Sequence, residues 1–213
     1  MNGKAIRSRS CPTFVAAIVC VTASLPLETR AQEWIVGGAV GTAKQHDYAV
    51  GGPVGRRDDT DTAYRLFGGY LVTPIHGVVV SYVDLGTVSY GGPAFGGFTD
   101  SLDADGIDVS YVAGWRPGEQ ERIALFGTAG VFSWKQDVTY TDSTGTFRYR
   151  DEGRSLSVGF GTEVNFNAAG SSACAFHAEY QLFSDVGKAG NSGHEDDRDL
   201  ISVGVDYRFG RRN

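Results

Sequence analysis

Cysteine is scarce: three residues in 213, and two of them, Cys11 and Cys20, precede the part of the chain that reads as mature protein. Cys174 then stands alone, which excludes an intrachain disulfide and a cysteine-based metal site. Long apolar runs are scarce as well. Residues 14–21 (FVAAIVCV) fall short of the roughly 20 residues a spanning helix needs. No later segment comes closer, so a membrane role has to rest on strands. Basic charge is the third shortage. Without residues 1–31 the chain loses four of its 19 basic residues and one of its 25 acids, leaving a formal net charge of −9. Such a balance speaks against nucleic acid as a partner, which calls for a basic face.

The N-terminus supplies what those shortages leave open. Lys4, Arg7 and Arg9 form a basic stretch ahead of the short apolar core, and residues 29–31 place small side chains where a signal peptidase reads. Residues 1–31 are therefore expected to be a signal peptide cleaved before Gln32, and residues 32–213 a single domain. Cys20 is preceded by Ile18 and Val19, where a lipoprotein signal would carry a small residue.

The last strand is the most informative stretch. Ile201, Val203, Val205, Tyr207 and Phe209 alternate with Ser202, Gly204, Asp206 and Arg208. A period of two sends these sets to opposite faces, one greasy and one polar. Upstream, Ile107, Val109, Tyr111, Ala113 and Trp115 oppose Asp108, Ser110, Gly114 and Arg116. Leu156, Val158, Phe160, Val164 and Phe166 oppose Ser157, Gly159, Gly161, Glu163 and Asn165. Cys174, Phe176, Ala178, Tyr180 and Leu182 oppose His177, Glu179 and Gln181. Residues 34–43 and 62–72 follow the rule, with Arg65 on the polar side. In residues 122–140, Phe126, Phe132, Trp134 and Tyr140 share the apolar parity and Lys135 the polar one. Around residues 78–90 Asp84 breaks phase with Val80 and Tyr82, through either a bulge or a position beyond the apolar band.

These segments make eight strands joined by short turns (73–77, 117–121, 167–172) and long connections (45–61, 91–105, 141–153, 184–197) in strict alternation. The expected fold is all-β: an eight-stranded antiparallel up-and-down transmembrane barrel with its long connections at one end. Trp34, Tyr70, Trp115, Phe166, Tyr207 and Phe209 fall near the opposite end as one aromatic girdle, with Trp134 and Tyr140 as candidates for the other. A soluble sandwich also alternates, but its outer face is usually richer in Lys, Thr and Glu than this Gly- and Ser-dominated set.

Residues 61–70 (DTAYRLFGGY), 82–86 (YVDLG), 125–134 (LFGTAGVFSW) and 202–209 (SVGVDYRF), in that order, resemble the OmpA-type membrane domain over about residues 33–209. The resemblance implies an outer-membrane barrel of a Gram-negative bacterium, in contact with outer-membrane lipids and lipopolysaccharide. It also implies insertion by the barrel-assembly machinery through a closing strand carrying Tyr207 and Phe209. The chain departs from that family in ending just after the barrel, so no cell-wall tethering is expected. Gly210-Arg-Arg-Asn213 follows the terminal aromatic, where the assembly signal usually closes the chain.

Candidate chemistry is sparse. Arg65, Lys135, Glu163, His177, Glu179, Asp206 and Arg208 have inward parity and are expected to form a polar network. Eight strands leave an interior just wide enough for side chains, so a plug is favoured over an ion path. The expected role is structural or surface-interacting. The alternatives are a narrow low-conductance pore and an adhesin that meets a host or surface ligand through the external loops. Asp103, Asp105, Gly106 and Asp108 look like half of a calcium loop, but Val112 stands where the closing acid belongs. His46-Asp47 and His194-Glu195 are the histidine–acid pairs available at the outer end, and no serine motif accompanies them. No enzymatic activity, cofactor or metal is expected.

Overall fold

Every wall presents apolar side chains on its outer face. The computed structural model describes residues 32–46, 56–73, 76–91, 97, 99–117, 122–166, 172–187 and 196–211. Nine strands appear there: β1 (Gln32–Gln45), β2 (Arg56–Asp58), β3 (Thr60–Thr73), β4 (His76–Gly91), β5 (Thr99–Trp115), β6 (Ile123–Asp142), β7 (Gly145–Asn165), β8 (Ser172–Val186) and β9 (Asp196–Arg211). The three-residue β2 continues the line of β3 across Asp59 and pairs with the outer end of β4, so the walls number eight. Each wall pairs antiparallel with the next, and β1 against β9 closes the ring, with Trp34 opposite Phe209. The fold is a closed antiparallel eight-stranded barrel, as the alternation requires. The expected signal peptide lies outside the described residues.

Closure removes every sheet edge at the level of the membrane, which is the condition for crossing lipid with strands. Val36, Leu66, Val80, Val109, Leu125, Phe160, Phe176 and Val203, one from each wall, are all exposed. Apolar exposure on this scale marks a surface covered by another apolar phase. The aromatic girdle lies at the end holding β1's start and β9's finish. Trp34 packs edge-on against Tyr70 at 5.1 Å, Phe166 against Phe176 at 4.6 Å, and Tyr207 stacks on Phe209 at 5.8 Å.

Asp84 marks a bulge. The β4–β5 register shifts between Asp84 and Thr87, and Gly86 adopts φ +69°, a conformation glycine takes at little cost. Asp84 Oδ1 accepts from the Gly86 amide at 2.9 Å, and Asp61 Oδ2 from the Thr87 amide at 2.8 Å. The phase changes across it: Val79, Ser81, Val83 and Leu85 are buried before the bulge, Val88 and Tyr90 after it.

Two expectations need correction. The connection 141–153 is not a long loop, because β6 and β7 pair all the way to Asp142↔Gly145. Asp142 Oδ1 caps that tight turn by accepting from the Thr144 amide at 2.8 Å. Nor does the expected apolar parity of β6 face lipid: Phe126 lines the interior cavity, and Phe132 and Trp134 are buried. β6 runs beside β5 without a register break, and both rings point inward with essentially no exposure. Trp134 therefore belongs to no outer girdle.

Candidate functional site

The interior is layered. Nearest the termini, Glu33, Ile35, Leu71 and Val79 are buried. Next comes the polar network, built because the inward parity of four walls, with Arg116 beyond the end of a fifth, brings charged residues to one level. Arg65 (β3) pairs with Glu179 (β8) and donates from Nε to Ser81 Oγ at 3.0 Å. Thr128 Oγ1 donates to the other oxygen of Glu179 at 3.3 Å. Arg208 (β9) pairs with Glu163 (β7) and reaches Asp206 at 3.2 Å. Arg116, just past the end of β5, lies 3.7 Å from Glu163, and Asn165 Nδ2 donates to Glu163 at 3.2 Å. His177 Nδ1 is 3.4 Å from Asp206, and its ring meets the edge of Phe67 at 5.4 Å. Gly204, opposite His177 in the ladder, leaves room for that imidazole: a Cβ there would sit 2.6 Å from it.

Three guanidiniums thus face three carboxylates around a cavity of about 60 Å³. That volume admits a few water molecules and no sizeable solute. Matching the charges is what allows them to be buried, since a desolvated ion without a partner costs several kcal/mol (about 3–5 when one partner is removed). Asp108 is held differently. It accepts from Ser110 Oγ and Ser157 Oγ, each at 2.5 Å, and from Gln181 Nε2 at 3.2 Å. Three neutral donors from three walls replace a cation.

Farther from the termini lies an apolar layer. Ala43, Ala63, Val83, Leu85, Ala104, Phe132, Trp134, Phe183, Val186 and Leu200 form one buried cluster drawn from seven walls. Phe132 and Phe183 meet at 4.6 Å across the lumen. The eighth wall, β7, contributes Gly153 and Ser155. A Cβ on Gly153 would lie 2.4 Å from the Trp134 ring, and Ser155 Oγ accepts from the indole at 2.8 Å. Above this septum a second polar layer holds Gln45, Asp100, Gln136, Asp151, Asp196 and Arg198, all buried.

Of the seven residues expected in the network, Arg65, Glu163, His177, Glu179, Asp206 and Arg208 lie inside the barrel. Lys135 does not. Its side chain is 50% exposed on the outer face and reaches Asp105 at 3.3 Å. An outward side chain has to be apolar only where hydrocarbon bathes the outside, and Lys135 lies beyond that band, where water takes over. The strand keeps its phase while the solvent changes, so charge stands on the outer face as well: Leu102 and Ala104 are inward and Asp103 and Asp105 outward, and likewise Leu200 inward and Asp199 outward. Sequence reasoning left Arg116 and Asp108 out of the site, although both have inward parity. It missed the septum altogether. The signal was the run of charges at Lys135, Asp137 and Asp105, which places this level outside the membrane.

The other candidates disperse. Asp103 and Asp105 point outward on a regular strand while Asp108 points inward, so the three cannot converge on one ion. His46 Nε2 contacts Asp199 at 2.5 Å, with side chains 41% and 19% exposed. Asp47 and the His194–Glu195 pair lie outside the described residues. Tyr207 and Phe209 face outward on the closing strand.

A closed barrel with a girdle of aromatics, an apolar outer band and a packed interior defines a small transmembrane β-barrel of the outer membrane. Residues 29–213 match the family described as OmpA-like transmembrane domain, and the chain belongs to that family. It is 30% identical over 191 residues to outer membrane protein A of Klebsiella pneumoniae, covering 84% of this chain and 52% of that protein. With the Shigella flexneri protein of the same name it shares 27% identity over 178 residues, covering 84% and 49%. The chain spans about half the length of the curated relatives it matches. Among solved structures, the outer membrane protein OprG from Pseudomonas aeruginosa aligns with a TM-score of 0.50 at 13% identity, covering 85% of this chain and 98% of that one. That likeness concerns the fold.

Proposed function

We propose that this protein is a barrel closed to bulk solute, anchoring in the outer membrane a set of extramembrane ribbons that serve a structural or surface-interacting role. The observation that carries the closure is the apolar septum: Phe132, Trp134, Phe183 and Leu200 are each at most 3% exposed. Beneath it the lumen is occupied by paired ions rather than by an open path. Eight walls leave no channel once such side chains are packed. In this reading the chain is exported by cleavage before Gln32 and inserted by the barrel-assembly machinery through the strand carrying Tyr207 and Phe209. Its outer face then contacts outer-membrane lipids, with lipopolysaccharide at the level of Asp105, Lys135 and Glu152. No catalytic role is assigned. Hydrolase assays of His46→Ala and His194→Ala variants check that.

Planar-bilayer recording of the purified protein tests the closure. The expected trace is flat. Stable single-channel steps would support the runner-up, a narrow pore through the charged cavity, for which the volume between Arg65, Glu163 and Arg208 is the favouring observation. The adhesin alternative concerns the same ribbons and is separated from a purely structural role by attachment of cells carrying or lacking residues 184–197.

A further inference from the structure

Strand β7 is paired on one side for all but its last residue and on the other for less than half of its length. Its ladder with β6 runs from Ile123↔Val164 to Asp142↔Gly145, whereas its ladder with β8 starts only at Ser157↔Phe183. β8 turns away at that point. The β8–β9 register shifts between Phe183 and Val186, Asp185 adopts φ +55°, and its amide is captured by Asp197 Oδ1 at 3.0 Å. Residues 145–150 therefore have β6 as their single strand neighbour among the described residues and stand clear of the membrane band.

A row of main-chain donors and acceptors on a strand edge is a template for another strand. Side chains here favour one kind. Arg148 and Arg150 lie on one face of the edge with no acid among residues 145–150. Phe147 and Tyr149, 45% and 50% exposed, lie on the other. Asp137 engages Arg150 in a two-pronged contact, both prongs 2.8 Å, while Arg148 sits opposite neutral Thr139.

We propose that the outer half of β7 is a docking edge for an extended acidic polypeptide, which adds as a strand with a carboxylate over Arg148 and apolar side chains over Phe147 and Tyr149. Main-chain pairing supplies affinity and alternate side chains supply selectivity, as in other strand-addition complexes. A second copy in the same membrane is a poor occupant. Its strand would run parallel to the first, the less stable of the two ladder geometries. The inference rests on the surface-interacting half of the proposed role and is independent of whether the barrel conducts.

The experiment uses the full protein in nanodiscs with a decapeptide alternating Glu and Val. The same peptide N-methylated at alternate residues and a Lys–Val version serve as controls. Saturable binding is expected, with backbone amide shifts confined to residues 145–150 and their cross-strand partners. N-methylation and, separately, Arg148→Glu should each weaken it at least about tenfold. Retained heat-modifiable migration of the variant confirms an intact barrel. Equal binding of the N-methylated peptide, indifference to Arg148→Glu, shifts elsewhere, or no binding would overturn the proposal. So would amide shifts at 145–150 that grow with protein concentration before peptide is added, which assign the edge to self-association.

Discussion

The indole of Trp134 donates to Ser155 Oγ at 2.8 Å, joining β6 to β7 inside the lumen. The ring lies over Gly153, which has no side chain to displace it. One aromatic thus spans the gap left by the single wall that adds no apolar side chain to the septum. Large beside small across a ladder is how a narrow barrel fills its interior without voids.

Removing that ring should open and weaken the barrel together. Trp134→Ala is expected to cost about 3–5 kcal/mol through the lost contacts and the cavity left behind. Paired with Phe132→Ala it should turn a silent bilayer trace into measurable conductance. Urea titration in micelles reads the first effect and single-channel recording the second. A silent double variant that still folds places the barrier elsewhere.

Ser155→Ala keeps the ring and strands its N–H. The loss should be about 1–3 kcal/mol, the cost of leaving one buried donor unmade. Ser155→Thr retains an acceptor and should recover part of it in the same unfolding measurement.

Arg65→Met leaves Glu179 buried without its cation and should destabilise by about 3–5 kcal/mol. Arg65→Met combined with Glu179→Leu removes both charges and should be far closer to the parent. A double-mutant cycle therefore gives a large coupling energy. Additive losses would mean that the pair does not act as a unit.

Lys135 and Glu179 differ in the solvent they meet. Lys135→Cys, placed in a Cys174→Ala background, should react on whole cells with a membrane-impermeant maleimide. Glu179→Cys in that background should not.

Asp137 is held below the ordinary carboxylate range, first by its hydrogen bonds from Arg150 and then by that guanidinium's charge. A depressed folded-state value stabilises the ribbon above the unfolded pKa, and the contribution is lost as pH falls through the folded one. An NMR titration of the side-chain carboxyl carbon should therefore show a depressed midpoint, which Arg150→Gln moves back up toward the usual range. The pair is exposed, so barrel stability as a whole should barely respond.

The period of two in residues 201–209 and 156–166 determined by itself that this chain builds strands with one greasy face. The absence of a helix-length apolar run determined that membrane crossing, if any, falls to them. Eight such segments in series then leave few topologies besides the up-and-down barrel, and Arg65, Glu163, Glu179 and Arg208 could be assigned inward by parity alone. Local alternation is enough for these because a strand's geometry repeats every two residues whatever surrounds it. What the alternation cannot carry is the identity of the medium on each side. The apolar parity of Phe132 and Trp134 and the polar parity of Lys135 read as lipid-facing and inward-facing only while hydrocarbon lies outside. The height at which water replaces it is a property of the assembled ring, not of β6. The partners were likewise decided in three dimensions. Arg65 finds Glu179 across 114 residues and Arg208 finds Glu163 across 45, through the closure of β1 on β9 and the stagger of the ladders.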